Sequence, residues 1–94
     1  MKTYVLGLCY NRHPAPVKEA IFTTDISFKG GVSKLEEVAN ERIPSDCARL
    51  AIYVSGCTIA MMAVVAVCIR RKIKLTAYHL NIEKGGYERQ DVLL

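Results

Sequence analysis

The residues whose types and spacing could do chemistry are Ser55-Gly56-Cys57-Thr58. Two hydroxyls bracket a glycine that lets backbone N–H groups come close to an anion. The helix-forming residues that follow would set a positive dipole end beneath it. That chemistry is anion or nucleotide binding, with N–H groups and hydroxyls on phosphate oxygens. The same residues also read as an ordinary strand-to-helix turn with Thr58 as N-cap. Cys57, at a helix start, has the position of an activated nucleophile. No arginine follows at phosphate-loop spacing, since Ala63 and Val64 stand there. A packed thiol is the reading for Cys57.

A second candidate group is Asn11-Arg12-His13, in the loop Cys9 to Pro16. Pro14 and Pro16 remove backbone donors and restrict the residues before them, so regular structure stops there. Arg12 can hold a phosphate and His13 can carry a proton, although a loop histidine beside proline is also simply exposed. His79 falls in a strand and is expected in core packing or a sheet hydrogen bond. No Walker loop, G-x-G-x-x-G or HExxH occurs, and no carboxylate pair converges. The four cysteines and two histidines make no zinc pattern, so no metal and no cofactor are expected.

The element that must position Ser55–Thr58 is the run Leu50 to Lys72, uncharged from Leu50 to Ile69. As one helix it could span a bilayer, with Arg70, Arg71 and Lys72 on the cytoplasmic side. The preferred reading cuts it into a strand over 48–54, the turn, and a helix over 58–72. β-Branched and aromatic residues precede Ser-Gly, a turn signal, and good helix formers follow it. The helix is apolar on nearly all sides, so its outer face, including Ala63 and Ala66, is expected against a second copy of the chain.

Strands are expected over 3–8, 19–28 and 73–80, with a hairpin turn over 81–86 and an edge strand to Leu94. A helix is expected from Ser33 to Arg42, opened by the capping box Ser33-Lys34-Leu35-Glu36 and stopped by Pro44. If the first strand lies beside the central one, the loop after Cys9 and the Ser55–Thr58 turn leave the sheet at one edge. This order predicts an α/β fold, a small Rossmann-like, mostly parallel sheet with flanking helices and a C-terminal hairpin, as one domain over 1–94.

Ninety-four residues with 51% hydrophobic content allow one small globular domain and argue against global disorder. A net charge of +4 and a pI near 9.0 mildly favour anionic partners. Part of that charge clusters in Arg70, Arg71, Lys72 and Lys74, which reads as a solvated helix end or a phosphate site. Cysteines without a framework spacing and the lack of a visible signal peptide predict a cytoplasmic, reduced protein.

Ile52-Tyr53-Val54-Ser55-Gly56-Cys57-Thr58 and the apolar helix after it resemble the strand–S/T-G-x-T–helix element of CRISPR-associated Rossmann-fold (CARF) domains. The likeness is nearest to small stand-alone ring nucleases. The stretches 74–81 and 85–90 look like their closing strand and hairpin, with Asn81 and Gly85-Gly86 where an acidic residue and a Thr-Gly turn are frequent. The resemblance covers about the C-terminal half and the first strand. It implies a homodimer through the 58–72 helix that binds cyclic oligoadenylate across its two-fold axis, in antiviral defence. It also implies metal-independent cleavage by attack of a ribose 2′-OH on the adjacent phosphate. Gly56 and Thr58 match the motif directly and Ser55 as the small hydroxyl residue. Asn11, Arg12 and His13 enter through their expected location, Arg12 and His13 as catalytic candidates and Asn11, with Cys57 of the turn, as a ligand contact.

Three other classes stay open. A sensor or sponge would use the same site without turnover. A single-span membrane protein would follow if the central run were one helix. A regulatory partner would contact nucleic acid through the basic helix end, but the sequence shows no aromatic interleaving of its basic residues, and no stable duplex binding is expected.

Overall fold

The computed structural model describes residues 2–9, 19–22, 31–54, 58–81 and 83–94. In chain order the elements are β1 (Lys2–Cys9), β2 (Ala20–Phe22), α1 (Gly31–Arg42), β3 (Cys47–Tyr53), α2 (Thr58–Arg71), β4 (Lys74–Asn81) and β5 (Gly86–Leu93). The strands form one sheet in the order β2-β1-β3-β4-β5. All neighbours pair in parallel except the β4–β5 hairpin. The α/β architecture is that of a mostly parallel sheet with two helices and a C-terminal hairpin, compatible with a small Rossmann-like fold.

The central run is cut where the residue types change. β3 ends at Tyr53 and α2 begins at Thr58, and no helix among the described residues is long and apolar enough to cross a membrane. The single-span reading is therefore corrected. β-Branched and aromatic residues before the break make a strand, and alanines and methionines after it make a helix.

Both α-helical crossovers step the same way across the sheet, from β2 to β3 and from β3 to β4. With the right-handed connection that such units adopt, α1 and α2 lie on one face. Alternation along the strands agrees: Leu6, Leu8, Leu50, Ile52, Leu75 and Ala77 share that face and are buried. Against them α2 buries Ala60, Ala63, Val64, Val67 and Cys68, and α1 buries Leu35 and Ala39. Among the described residues no helix lies on the opposite face, where Val5 of β1, beyond the reach of the three-residue β2, is 49% exposed.

Two helix details differ from expectation. Helix α1 starts at Gly31, with φ +68, so Ser33 lies inside the first turn and is not the N-cap. Glu36 is held instead by Arg70 of α2 at 2.9 Å. On α2, Ala63 is fully buried and Ala66 half-buried. The solvent side carries Ile59, Met62 and Ile69, at 43, 56 and 60% exposure. The expected outward position of Ala63 is thus corrected: it packs into the interior beside Val64 and Val67.

The end of α2 closes on itself. Ile73 N donates to Cys68 O at 2.8 Å and Lys72 N to Ile69 O at 3.3 Å, with Lys72 left-handed at φ 57. This is the paired Schellman closure, which usually takes glycine at the left-handed position.

Candidate functional site

The chain reverses its direction of travel across the sheet between β1 and β3: from β1 it steps to β2, then crosses back to β3. Open α/β sheets bind ligands outside the carboxyl ends of the strands at such a reversal. β1 and β3 are adjacent and parallel, with Gly7 opposite Tyr53, and Tyr53 opposite Tyr78 of β4. Val54 N continues the pairing, donating to Tyr78 O at 3.0 Å. The chain segments that follow Cys9 and Val54 therefore both depart from the C-terminal edge of neighbouring strands.

Of the sequence-predicted site residues, Thr58 is placed: it opens α2 at that edge and is exposed. Asn11, Arg12, His13, Ser55, Gly56 and Cys57 lie outside the described residues.

His79 does not pack in the core, one of its two expected places; it is exposed at the same edge, in the β4–β5 ladder opposite Glu88. Around it Asn81 Nδ2 donates to Glu88 Oε1 at 3.0 Å, and Lys84 Nζ lies 3.2 Å from the same oxygen. Tyr53, Tyr78 and Tyr87 cluster on the helix-free side. The first two rings stack at 5.0 Å and 14°, and Tyr87 meets Tyr53 edge-on at 4.8 Å. Reading the strands singly missed this cluster, because its members come from three of them.

The basic cluster at the end of α2 splits in two. Arg70 pairs with Glu36, and Arg71 donates to the Asn40, Ile43 and Pro44 carbonyls, so both belong to the α1–α2 junction. Lys72 and Lys74 go elsewhere. With Lys2 and Arg49 they line a cavity of about 190 Å³ at the N-terminal ends of β1, β3 and β4, closed by Thr3 and Ala48. Lys2 pairs with Asp46 at 3.4 Å. Among the described residues, Arg49, Lys72 and Lys74 have no ion-pair partner.

The three placed thiols, Cys9, Cys47 and Cys68, are all buried. Burial pushes Cys68 up to about 12 and raises Cys47, so both stay protonated at neutral pH. Asp46 is lowered by the hydrogen bond from Tyr4 Oη at 2.7 Å, which in turn raises Tyr4. Among the described residues no group of His, Cys, Asp and Glu is arranged to hold a metal ion.

No protein-family model matches the chain, and neither a curated protein nor a solved structure matches it.

Proposed function

We propose that the chain is a CARF-type ring nuclease of CRISPR-associated antiviral defence. It binds a cyclic oligoadenylate at the C-terminal edge between β1 and β3 and cleaves it. The observation that carries this reading is the adjacency of the two parallel strands at the reversal in strand order. The segments bearing Asn11, Arg12 and His13 and bearing Ser55, Gly56 and Cys57 start from that one edge, and Thr58 opens a helix there. The apolar outer side of α2, Ile59, Met62 and Ile69, supports a second copy as partner. Two-fold symmetry would then double the donors available to a ring.

In the proposed reaction a ribose 2′-oxygen attacks the adjacent phosphorus. A new O–P bond forms, the P–O5′ bond breaks, and the 5′-oxygen leaves as a hydroxyl after taking a proton. Arg12 and loop N–H groups stabilise the phosphorane charge and His13 moves the proton, so the step needs no metal. Thermal shift with cyclic and linear oligoadenylates, followed by chromatography of the incubated ring, tests it. A higher melting temperature with cyclic ligand and a linear product is the expected result. A shift without product makes the protein a sensor or sponge, and no shift with any ring removes the reading.

A further inference from the structure

We infer that the helix-free face of the sheet binds single-stranded nucleic acid, with bases on the tyrosine cluster and backbone phosphates on the cations below it. This surface is separate from the C-terminal edge and does not depend on the ring-nuclease reading.

The sheet register assembles what no single strand shows. On β3, Arg49 and Tyr53 are four residues apart and share a face; on β4, Lys74 and Tyr78 do the same. Arg49 is the register partner of Lys74, and Tyr53 of Tyr78. Two cations therefore stand side by side about 13 Å below two stacked rings, from four residues at about 3.3 Å each. Lys72 and Lys2 line the same cavity as Arg49 and Lys74, and Tyr87 of β5 widens the aromatic end. Arg89, the register partner of Tyr78, is paired with Asp91 at 3.2 Å, which neutralises the one carboxylate that Thr76 holds on this face.

The occupant follows from charge and ring chemistry. A mostly parallel sheet is normally covered on both faces, yet on this face Val5, Arg49 and Lys74 are exposed and Ala51, Tyr53, Thr76 and Tyr78 only half-buried. Among the described residues Arg49, Lys72 and Lys74 have no ion-pair partner within the chain, so three positive charges stand uncompensated here. A polyanion supplies the counter-charge for them, and flat bases supply surface for the half-buried rings. Tyr53 and Tyr78 already stack on each other, so a base would extend that stack at its open end, as bases of single strands do on aromatic side chains with cations nearby. Duplex phosphates would meet the cations but leave the rings unused.

Lys72 adds an independent observation. It occupies the left-handed closing position of α2, where a glycine would be unstrained, and its residue lines the cationic cavity. A strained lysine there is accounted for by its charge.

The test is fluorescence anisotropy with a labelled oligouridylate of about eight nucleotides, titrated with the whole chain at several salt concentrations. Oligouridylate avoids the adenine ring ligand, and binding should persist in its presence. Removing two phosphate contacts with Arg49→Ala plus Lys74→Ala should weaken binding and reduce the log–log salt slope by about 1.4. Tyr78→Leu should weaken it roughly tenfold, whereas Tyr78→Phe keeps the ring and should not. Lys72→Gly should raise the melting temperature and still weaken binding, which separates loss of the site from loss of the fold. The inference is overturned by no binding at about 100 micromolar chain in about 50 mM salt. It is equally overturned if the Arg49/Lys74 double variant binds as tightly, if Tyr78→Leu matches Tyr78→Phe, or if phosphatidylserine vesicles are bound while the oligonucleotide is not.

Discussion

The guanidinium of Arg71, at the last position of α2, donates to the carbonyl oxygen of Pro44 at 2.6 Å. The same group reaches Ile43 O at 3.2 Å and Asn40 O at 3.3 Å. One side chain thus caps the carboxyl end of α1, where proline ends the helix and leaves carbonyls without N–H partners. Arg71 is half-buried, so water replaces these bonds poorly. Arg71→Ala should destabilise the fold by about 1.5–3 kcal/mol, and Arg71→Lys should recover only part, because an ammonium cannot span the carbonyls as a planar fork can. Arg70→Ala, which removes an ion pair at the surface, should cost no more than about 1 kcal/mol. Urea denaturation of the three variants would check the order.

The two thiols predict an alkaline limit. Cys68, raised to about 12, and Cys47, also raised, stay protonated in the native state, while unfolded thiols ionise near the ordinary value of 9.0. A raised folded value means that the stabilising contribution is complete below pH 9.0 and is lost as pH rises from there towards the native value. The slope contributed by Cys68 should not exceed about 1.4 kcal/mol per pH unit, and Cys68→Ala should flatten it. Melting temperatures measured between neutral and alkaline pH would check this. Alkylation mapped by mass spectrometry should label Cys68 only as fast as the protein opens.

Much of the scaffold is legible in the sequence because its signals are local. Ser55-Gly56 separates β-branched residues from helix formers, Pro44 stops α1, and Gly85-Gly86 marks the hairpin. What is hidden is pairwise and long-range. Glu36 suggests a capping box by spacing, but α2 supplies Arg70 at a separation of 34 residues, and the carboxylate goes there. Ala63 looks free to face outward because every neighbour is apolar; only the helix phase against Leu50 and Leu75 decides its side. The basic run at 70–74 looks like one cluster, yet the left-handed Lys72 turns the chain and divides it between two surfaces. The two polar stretches of the candidate site, 11–13 and 55–57, lie outside the described residues. The pairing of β1 with β3 supplies their common edge, a relation that no local pattern contains.

The outer side of α2 should govern assembly. Ile59, Met62 and Ile69 recur at three and seven residues and are all exposed. Met62→Glu should leave circular dichroism and melting behaviour close to those of the unmodified chain, because the side chain packs on nothing inside. Sedimentation should show a dimer for the unmodified chain and a monomer for the variant. Ala63→Glu should instead unfold the protein, since it would place a charge in the interior. A monomeric unmodified chain at micromolar concentration would end the shared-site reading.

The proposed binding edge can be probed with four substitutions that separate holding a ring from cutting it. Arg12→Ala removes a charge-assisted hydrogen bond to phosphate, a loss of about 1.5–3 kcal/mol, so affinity for the cyclic ligand should fall roughly tenfold or more. Gly56→Val places a branched side chain where backbone N–H groups are proposed to meet the phosphates, and should weaken binding further. Cys57→Ser should be tolerated, because the thiol is assigned packing and no chemistry. His13→Ala is the decisive variant: as a proton carrier it should leave binding intact and lower the single-turnover rate roughly a hundredfold or more. A chelator should change neither binding nor rate. Calorimetry for affinity and quenched-flow chromatography for rate keep the two effects apart. Unaltered affinity in both Arg12→Ala and Gly56→Val would place the ligand elsewhere, and would leave Thr58 as the ordinary first residue of a helix.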